Sequence, residues 1–297
     1  MKKLIERLLV FIIAIPAFFA LIIFLPQYNN LALNLVVIFF SAVGAIEFST
    51  MLEKKQIKIS KVESAILGAS IPLALTLVIS IRLSMTIVVL VFIAGFFWAV
   101  LSRVFSKQSD LETVANKITG LFSLFIYPGF FMGFIVLMSG WGNPAALVLF
   151  LFITFGNDSL AWLFGTLFGS NNKGIIAVSP NKSIAGFIGG MLGSILVAMC
   201  AAYFFPSIFS VKELVIAEIL YKPAITSILV PSIFLGLCTG IAAIMGDLAE
   251  SAIKRSCDFK DSGNFMLGRG GVLDSVDSIA LAAPVFYLLF TFFFYVF

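Results

Sequence analysis

The sequence predicts an all-α, polytopic transmembrane protein of about nine helices, with its N-terminus in the cytoplasm. Three observations lead there. The 297 residues are 61% hydrophobic and 11% charged, with a mean hydropathy of +1.13, whereas a soluble domain carries about 25% charged residues. Apolar runs of roughly twenty residues, each long enough to span a bilayer, recur from end to end. Lysine and arginine fall almost wholly in alternate loops. A membrane β-barrel would show weak alternation in place of continuous runs.

In chain order the spans are predicted at 8–25, 31–51, 64–81, 84–102, 118–138, 144–168, 184–205, 226–247 and 277–296. The first follows a basic start, as a signal peptide does. Its apolar run is too long and no A-x-A site follows, so a retained helix is expected. The N-terminus and the loops after spans two, four, six and eight hold sixteen of the nineteen bases. These are Lys2, Lys3, Arg7, Lys54, Lys55, Lys58, Lys61, Arg103, Lys107, Lys117, Lys173, Lys182, Lys254, Arg255, Lys260 and Arg269. The opposite side receives only Arg82, Lys212 and Lys222. This positive-inside pattern puts the basic loops in the cytoplasm and the C-terminus outside. The longest outside connection, 207–220, reads at most as a short interfacial helix. No soluble linker, low-complexity tract or internal repeat divides the chain. Within one integral membrane unit, residues 1–140 read as mainly structural spans and 141–297 as the region able to do chemistry.

Composition also excludes. The chain has no histidine, which removes His-based zinc sites, Ser-His-Asp triads and haem ligation. Cys200, Cys238 and Cys257 are scattered without metal-ligand spacing and read as apolar fillers or a free thiol.

The segment Gly246–Ser278 holds six of the fifteen acids and four of the nineteen bases of an otherwise apolar chain. Span six carries Asp158 about fourteen residues in from the outside, roughly 21 Å at 1.5 Å per residue. Asp247 is expected at the inner end of span eight, and Asp274 and Asp277 at the start of span nine. Three helices would thus bring carboxylates to similar depth on the cytoplasmic side. An ionisable residue at such depth is a functional hypothesis by default. Structural readings stand beside it. Asp158 could bond a neighbouring helix, Asp247 could pair with Lys254 or Arg255, and Asp274 with Asp277 could form a capping box. Glu250 shares a helix face with Asp247 and supports it or pairs with Lys254.

Mg²⁺ is usually held by one or two carboxylates plus substrate phosphates. Asp247 and Asp274, on neighbouring helix ends, suit that role. Lys254, Arg255, Lys260 and Arg269 could grip phosphate oxygens or simply make the membrane surface basic. Gly263, Gly268, Gly270 and Gly271 let backbone amides turn toward an anion. Ser179-Pro180-Asn181-Lys182-Ser183 opens span seven as an anion site at a helix N-terminus or as a proline turn with a serine cap. Gly186, Gly189, Gly190 and Gly193 form a small-residue packing face. Such a site suits phosphoryl or nucleotidyl transfer, which works by positioning and charge neutralisation.

These residues resemble the signature of the phosphatidate cytidylyltransferases, the CDP-diacylglycerol synthases. The matching positions are Ser251, Lys254, Arg255, Lys260, Asp261, Gly268, Gly270, Gly271, Asp274 and Asp277. The stretch from Ser179 through Lys182 and Gly186 to Gly190, and that from Asn157 and Asp158 to Gly165 and Gly169, are similar to two further family segments. The resemblance is strong over about 154–278. It implies a magnesium-dependent enzyme of the cytoplasmic membrane, active on the cytoplasmic side. CTP and phosphatidate would give CDP-diacylglycerol and pyrophosphate, in phospholipid biosynthesis. Asp247, Asp274, Lys254 and Arg255 would be catalytic, with Asp247 and Asp274 as metal ligands and Asp158 or Asp277 completing the polar site. Ser179, Lys182, Ser251, Lys260, Asp261, Gly268, Arg269, Gly270 and Gly271 would bind substrate. Membrane lipids are the expected surroundings, nucleic acid is not a partner, and a homodimer is left open.

Four positions depart from the family pattern. Leu267 stands where the family has Pro, Arg269 where it has His, Ser275 where it has Arg, and Asn181 where it has Lys. A cation lost at Ser275 and regained at Arg269 is one reading; an altered substrate or weakened activity is the other. The alternative functions are a polyprenol- or phytol-kinase-like enzyme, an ether-lipid cytidylyltransferase, or a transporter, which would spread its acids through the membrane depth.

Overall fold

A computed structural model describes residues 16–104, 113–209 and 225–294, apart from Leu267 and Arg269. The described residues are helical and contain no β-strand. Residues 16–24 are helical; the rest of the predicted first span lies outside the described residues. Then follow α1 (Gln27–Glu53), α2 (Lys61–Ile81), α3 (Thr86–Leu101), α4 (Val114–Ser139), α5 (Pro144–Phe168), α6 (Ile184–Phe204), α7 (Ile225–Ser256) and α8 (Leu273–Phe294). Seven of these are long and apolar enough to cross a membrane; α3, with 16 residues, is shorter. The protein is an all-α polytopic membrane protein. Helices suit that solvent because they satisfy their own backbone hydrogen bonds where lipid offers none.

Two ends differ from the sequence reading. α7 runs on to Ser256, past the predicted end at 247, so Asp247 lies well inside the helix. Hydropathy fades there at the first charges, but the helix continues through good helix formers and a Glu250–Lys254 pair at i,i+4. α8 begins at Leu273, ahead of the predicted 277, because its first amides find acceptors elsewhere in the chain.

The chain divides into two compact units, Met1–Pro144 with Glu250–Ala280, and Ala145–Ala249 with Leu281–Phe297. In the first, α1 opens with a left-handed turn at Tyr28, Asn29 and Asn30 (φ 52°, 56° and 55°). Side chains pin this turn to the end of α2: Asn29 Nδ2 donates to Ile79 O at 2.8 Å, and Ser80 Oγ donates to Tyr28 O at 2.8 Å. α1 and α2 touch closely at Gly68, which lies against Ser41 and Ala45. Pro128 interrupts α4, and a π-helical turn over Phe125–Phe130 absorbs it. Only Gly95 and Ala99 of α3 are buried. Phe96, Phe97 and Trp98 stay exposed, as expected where lipid replaces water.

In the second unit, Phe150, Phe286 and Phe290 form a buried aromatic row, with successive ring centroids 5.3 Å apart. α5, α6 and α7 are joined by a polar node. Asn157 Nδ2 donates to Ser194 Oγ at 3.0 Å and to Gly240 O at 3.2 Å. The predicted small-residue face of α6 is buried, with Gly189 against Phe164 and Gly193 against Gly156.

Candidate active site

In the first unit the segment between α7 and α8 is built around two acids. Asp274 lies in the first turn of α8. Its Oδ2 accepts from Ser262 N and Gly271 N, each at 2.7 Å, and from Ser262 Oγ at 2.9 Å. Its Oδ1 accepts from Lys254 Nζ at 2.5 Å. Glu47, from α1, is the second acid. Its Oε1 accepts from Val272 N at 3.0 Å, and its Oε2 accepts from Leu273 N at 2.9 Å. These are among the amides that the start of a helix leaves without intrahelical partners. Ser262 Oγ lies 3.1 Å from Glu47 Oε2 and also receives the Asp274 amide at 3.2 Å. One hydroxyl has one proton, so it serves the two carboxylates in turn.

Lys254 reaches Asp274 from α7 and also pairs with Glu250, one turn before it. The side chains are 12%, 7% and 0% exposed for Lys254, Asp274 and Glu250. One ammonium therefore sits between two buried carboxylates. Glu250 Oε1 is buried without a hydrogen-bond donor among the described residues. Gly270 has φ +105°, a left-handed conformation that favours glycine. A Cβ at Gly271 would collide with both Ser262 Oγ and Glu47 Oε2.

In the second unit, Lys182 Nζ lies 2.5 Å from Asp247 Oδ2, both side chains being partly exposed. Lys182 is placed by a turn in which its amide donates to Ser179 O at 3.1 Å. Ser183 then caps α6, its Oγ accepting from Gly186 N at 3.1 Å. The turn and the serine cap are thus present, and they aim the lysine at an acid of α7.

The other predicted residues are placed as follows. Asp158 is exposed on α5, while its neighbour Asn157 turns inward. Asp277 and Ser251 are half-buried, and Asp277 Oδ1 accepts from Ser278 N at 2.6 Å. Arg255 is exposed and donates to Phe259 O at 3.3 Å. Lys260 and Asp261 are exposed, Ser179 is half-buried, and Gly268 has φ +72°. Arg269 lies outside the described residues. Asp158 and Asp247 belong to the second unit, Asp274 and Asp277 to the first.

Sequence reasoning did not place Glu47 or Ser262 at this site. The available signal was that Glu47 is nearly the only charge within the first five spans.

The donor set suits a hard divalent cation in kind. It offers carboxylate oxygens, one of them buried without a donor, around a position that already holds a positive charge. Among the described residues no three acid side chains converge as a ready-made metal cage. Substrate phosphates would have to supply further ligands, as is usual for Mg²⁺.

The sequence matches the cytidylyltransferase family over residues 5–293. The chain belongs to that family. It is 38% identical over 135 residues to the phosphatidate cytidylyltransferase of Chlamydia pneumoniae, covering 46% of this chain and 39% of the relative. It is 32% identical over 189 residues to that of Thermotoga maritima, covering 63% and 65%. A similar match, 34% over 145 residues covering 48% and 42%, links it to the uncharacterized protein YnbB of Escherichia coli. The chain thus spans about half the length of the curated relatives it matches.

Proposed function

We propose that the protein transfers a cytidylyl group from CTP to phosphatidate, giving CDP-diacylglycerol and pyrophosphate on the cytoplasmic side of the cytoplasmic membrane. The carrying observation is the family match over 5–293, joined to a basic, glycine-rich segment whose acids hold Lys254 in place. A phosphatidate phosphate oxygen attacks the α-phosphorus of CTP. The bond from that phosphorus to the β-bridging oxygen breaks, and pyrophosphate leaves with the electron pair. The nucleophile is an ionised phosphate, so no protein base is needed, in keeping with a chain without histidine.

The chain's own residues bind and orient. Lys254, fixed by Asp274 and Glu250, presents a positive charge to phosphate, with Arg255 and Lys260 on the exposed side of the same segment. Lys182, fixed by Asp247, does so in the second unit. Gly268 and Gly270, with their positive φ, make the turn that brings the Gly271 amide to the Asp274 carboxylate. The carboxylates proposed for Mg²⁺ are Asp274 and Asp277 in the first unit and Asp247 and Asp158 in the second, while Glu250 pairs with Lys254. When bound, that ion neutralises polyphosphate charge.

The test is incubation of the purified protein with CTP, phosphatidate and Mg²⁺. Pyrophosphate and liponucleotide should appear in equal amounts, and chelation should stop both. Release of CDP would mean kinase chemistry and overturn the reading.

A further inference from the structure

We infer that Glu47, on α1, is a positioning residue for the loop that carries Asp274, an inference that rests on the cytidylyl-transfer reading. Glu47 is only 8% exposed and sits in an apolar helix more than two hundred residues away in sequence from the loop it touches. A carboxylate in such surroundings is costly unless its oxygens are satisfied. Among the described residues they are satisfied by the loop and the start of α8: Val272 N, Leu273 N and Ser262 Oγ. The contact is also sterically specific. A Cβ at Gly263 or Gly271 would run into the Glu47 carboxylate, so the loop backbone rests directly on it.

The consequence reaches Asp274 by two routes. Ser262 Oγ touches both Glu47 and Asp274, and Gly271 N, next to the Glu47-bound Val272, donates to Asp274 along with Ser262 N. Glu47 thus fixes the segment whose amides fix Asp274, which in turn holds Lys254. It acts through those groups and need not touch substrate.

The test uses Glu47→Gln in the full-length protein. An amide keeps the shape but puts an NH₂ where an acceptor is needed. Hydrogen exchange of a peptide spanning Val272 and Leu273 should accelerate at least tenfold, since those amides lose a charged acceptor. kcat should fall about ten- to a hundredfold, the worth of one charge-assisted hydrogen bond, with a smaller change in KM for CTP. Glu63→Gln is the matched control. Glu63 is also a partly buried acid of the first unit, bound by Arg103 Nη2 at 2.8 Å and 2.9 Å, with its hydrogen bonds going to α3 and Arg103 and none to the described residues of the loop. It should lower stability while leaving the exchange of 272–273 and kcat unchanged.

If Glu47→Gln fails to insert, Gly263→Ala presses the same contact from the loop side, its added carbon lying nearest to Glu47 atoms alone, and should give the same exchange and kcat changes. Unchanged exchange, or faster exchange with normal kcat, would overturn the positioning role alone. An equal kcat loss in Glu63→Gln would overturn it as a general stability effect. A wild-type protein without cytidylyl transfer would overturn the functional reading and this role together.

Discussion

Asp274→Asn is the perturbation whose outcome the geometry defines most closely. Asp274 accepts three hydrogen bonds through Oδ2 and one from Lys254 through Oδ1. Asparagine has one acceptor oxygen. If that oxygen serves the amides of Ser262 and Gly271, the NH₂ faces the Lys254 ammonium. If it faces Lys254, the two amides lose their acceptor. Either way a buried charge pair is broken, which costs about 3–5 kcal/mol from a total that is typically about 5–15 kcal/mol. We predict a melting temperature lower by on the order of 10 °C and loss of turnover. Lys254→Met should be worse, because it leaves Glu250 and Asp274 facing each other without a cation. The double variant Asp274→Asn/Lys254→Met removes a charge of each sign but leaves the buried Glu250 without its cation, so it should be less stable than Asp274→Asn and should not regain turnover. Thermal melts in detergent give the stability cycle, and pyrophosphate release gives turnover. A wild-type melting temperature for Asp274→Asn would refute the contact set. Turnover in the double variant would remove Asp274 from the chemistry.

Three further expectations follow from other contacts. Asp247→Asn and Lys182→Met break a partly exposed ion pair, so each should cost less than about 1 kcal/mol in stability while lowering kcat/KM for CTP at least tenfold; a melt shifted as far as that of Asp274→Asn would contradict this. Asn157→Ala leaves Ser194 Oγ and Gly240 O without their shared donor, a loss of about 1–3 kcal/mol visible in thermal melts, with KM for CTP unchanged in the folded fraction. Gly193→Val would drive a side chain into the backbone of Gly156 and should abolish the folded yield in detergent, whereas Leu192→Val, at an exposed position, should leave it intact.

Much of this architecture could be read from the chain because its causes are local. A run such as that in α6 announces both its length and its glycine face, and the acid at 274 sits where a helix must begin. Other features have non-local causes. Glu47 has nothing in its own neighbourhood to say that its partners are Ser262, Val272 and Leu273; only folding brings them together. The extension of α7 to Ser256 was hidden because hydropathy measures lipid solubility, whereas helicity depends on backbone hydrogen bonds and propensity. The inward turn of Asn157 beside an exposed Asp158 depends on helix rotation, which the apolar surroundings of α5 on both sides do not define. The π turn at Pro128 shows the same limit: proline marks a disturbance, and the packing around it decides whether the helix breaks or swallows it.

The fit between Gly271 and Glu47 ties two remote positions together in descent. A methyl group at 271 has room only if the acid at 47 is shortened or withdrawn and the Ser262 hydroxyl is removed as well. Relatives that carry alanine at 271 should therefore carry shorter side chains at both 47 and 262, and an exchange of α1 between two such lineages should fail unless the loop travels with it.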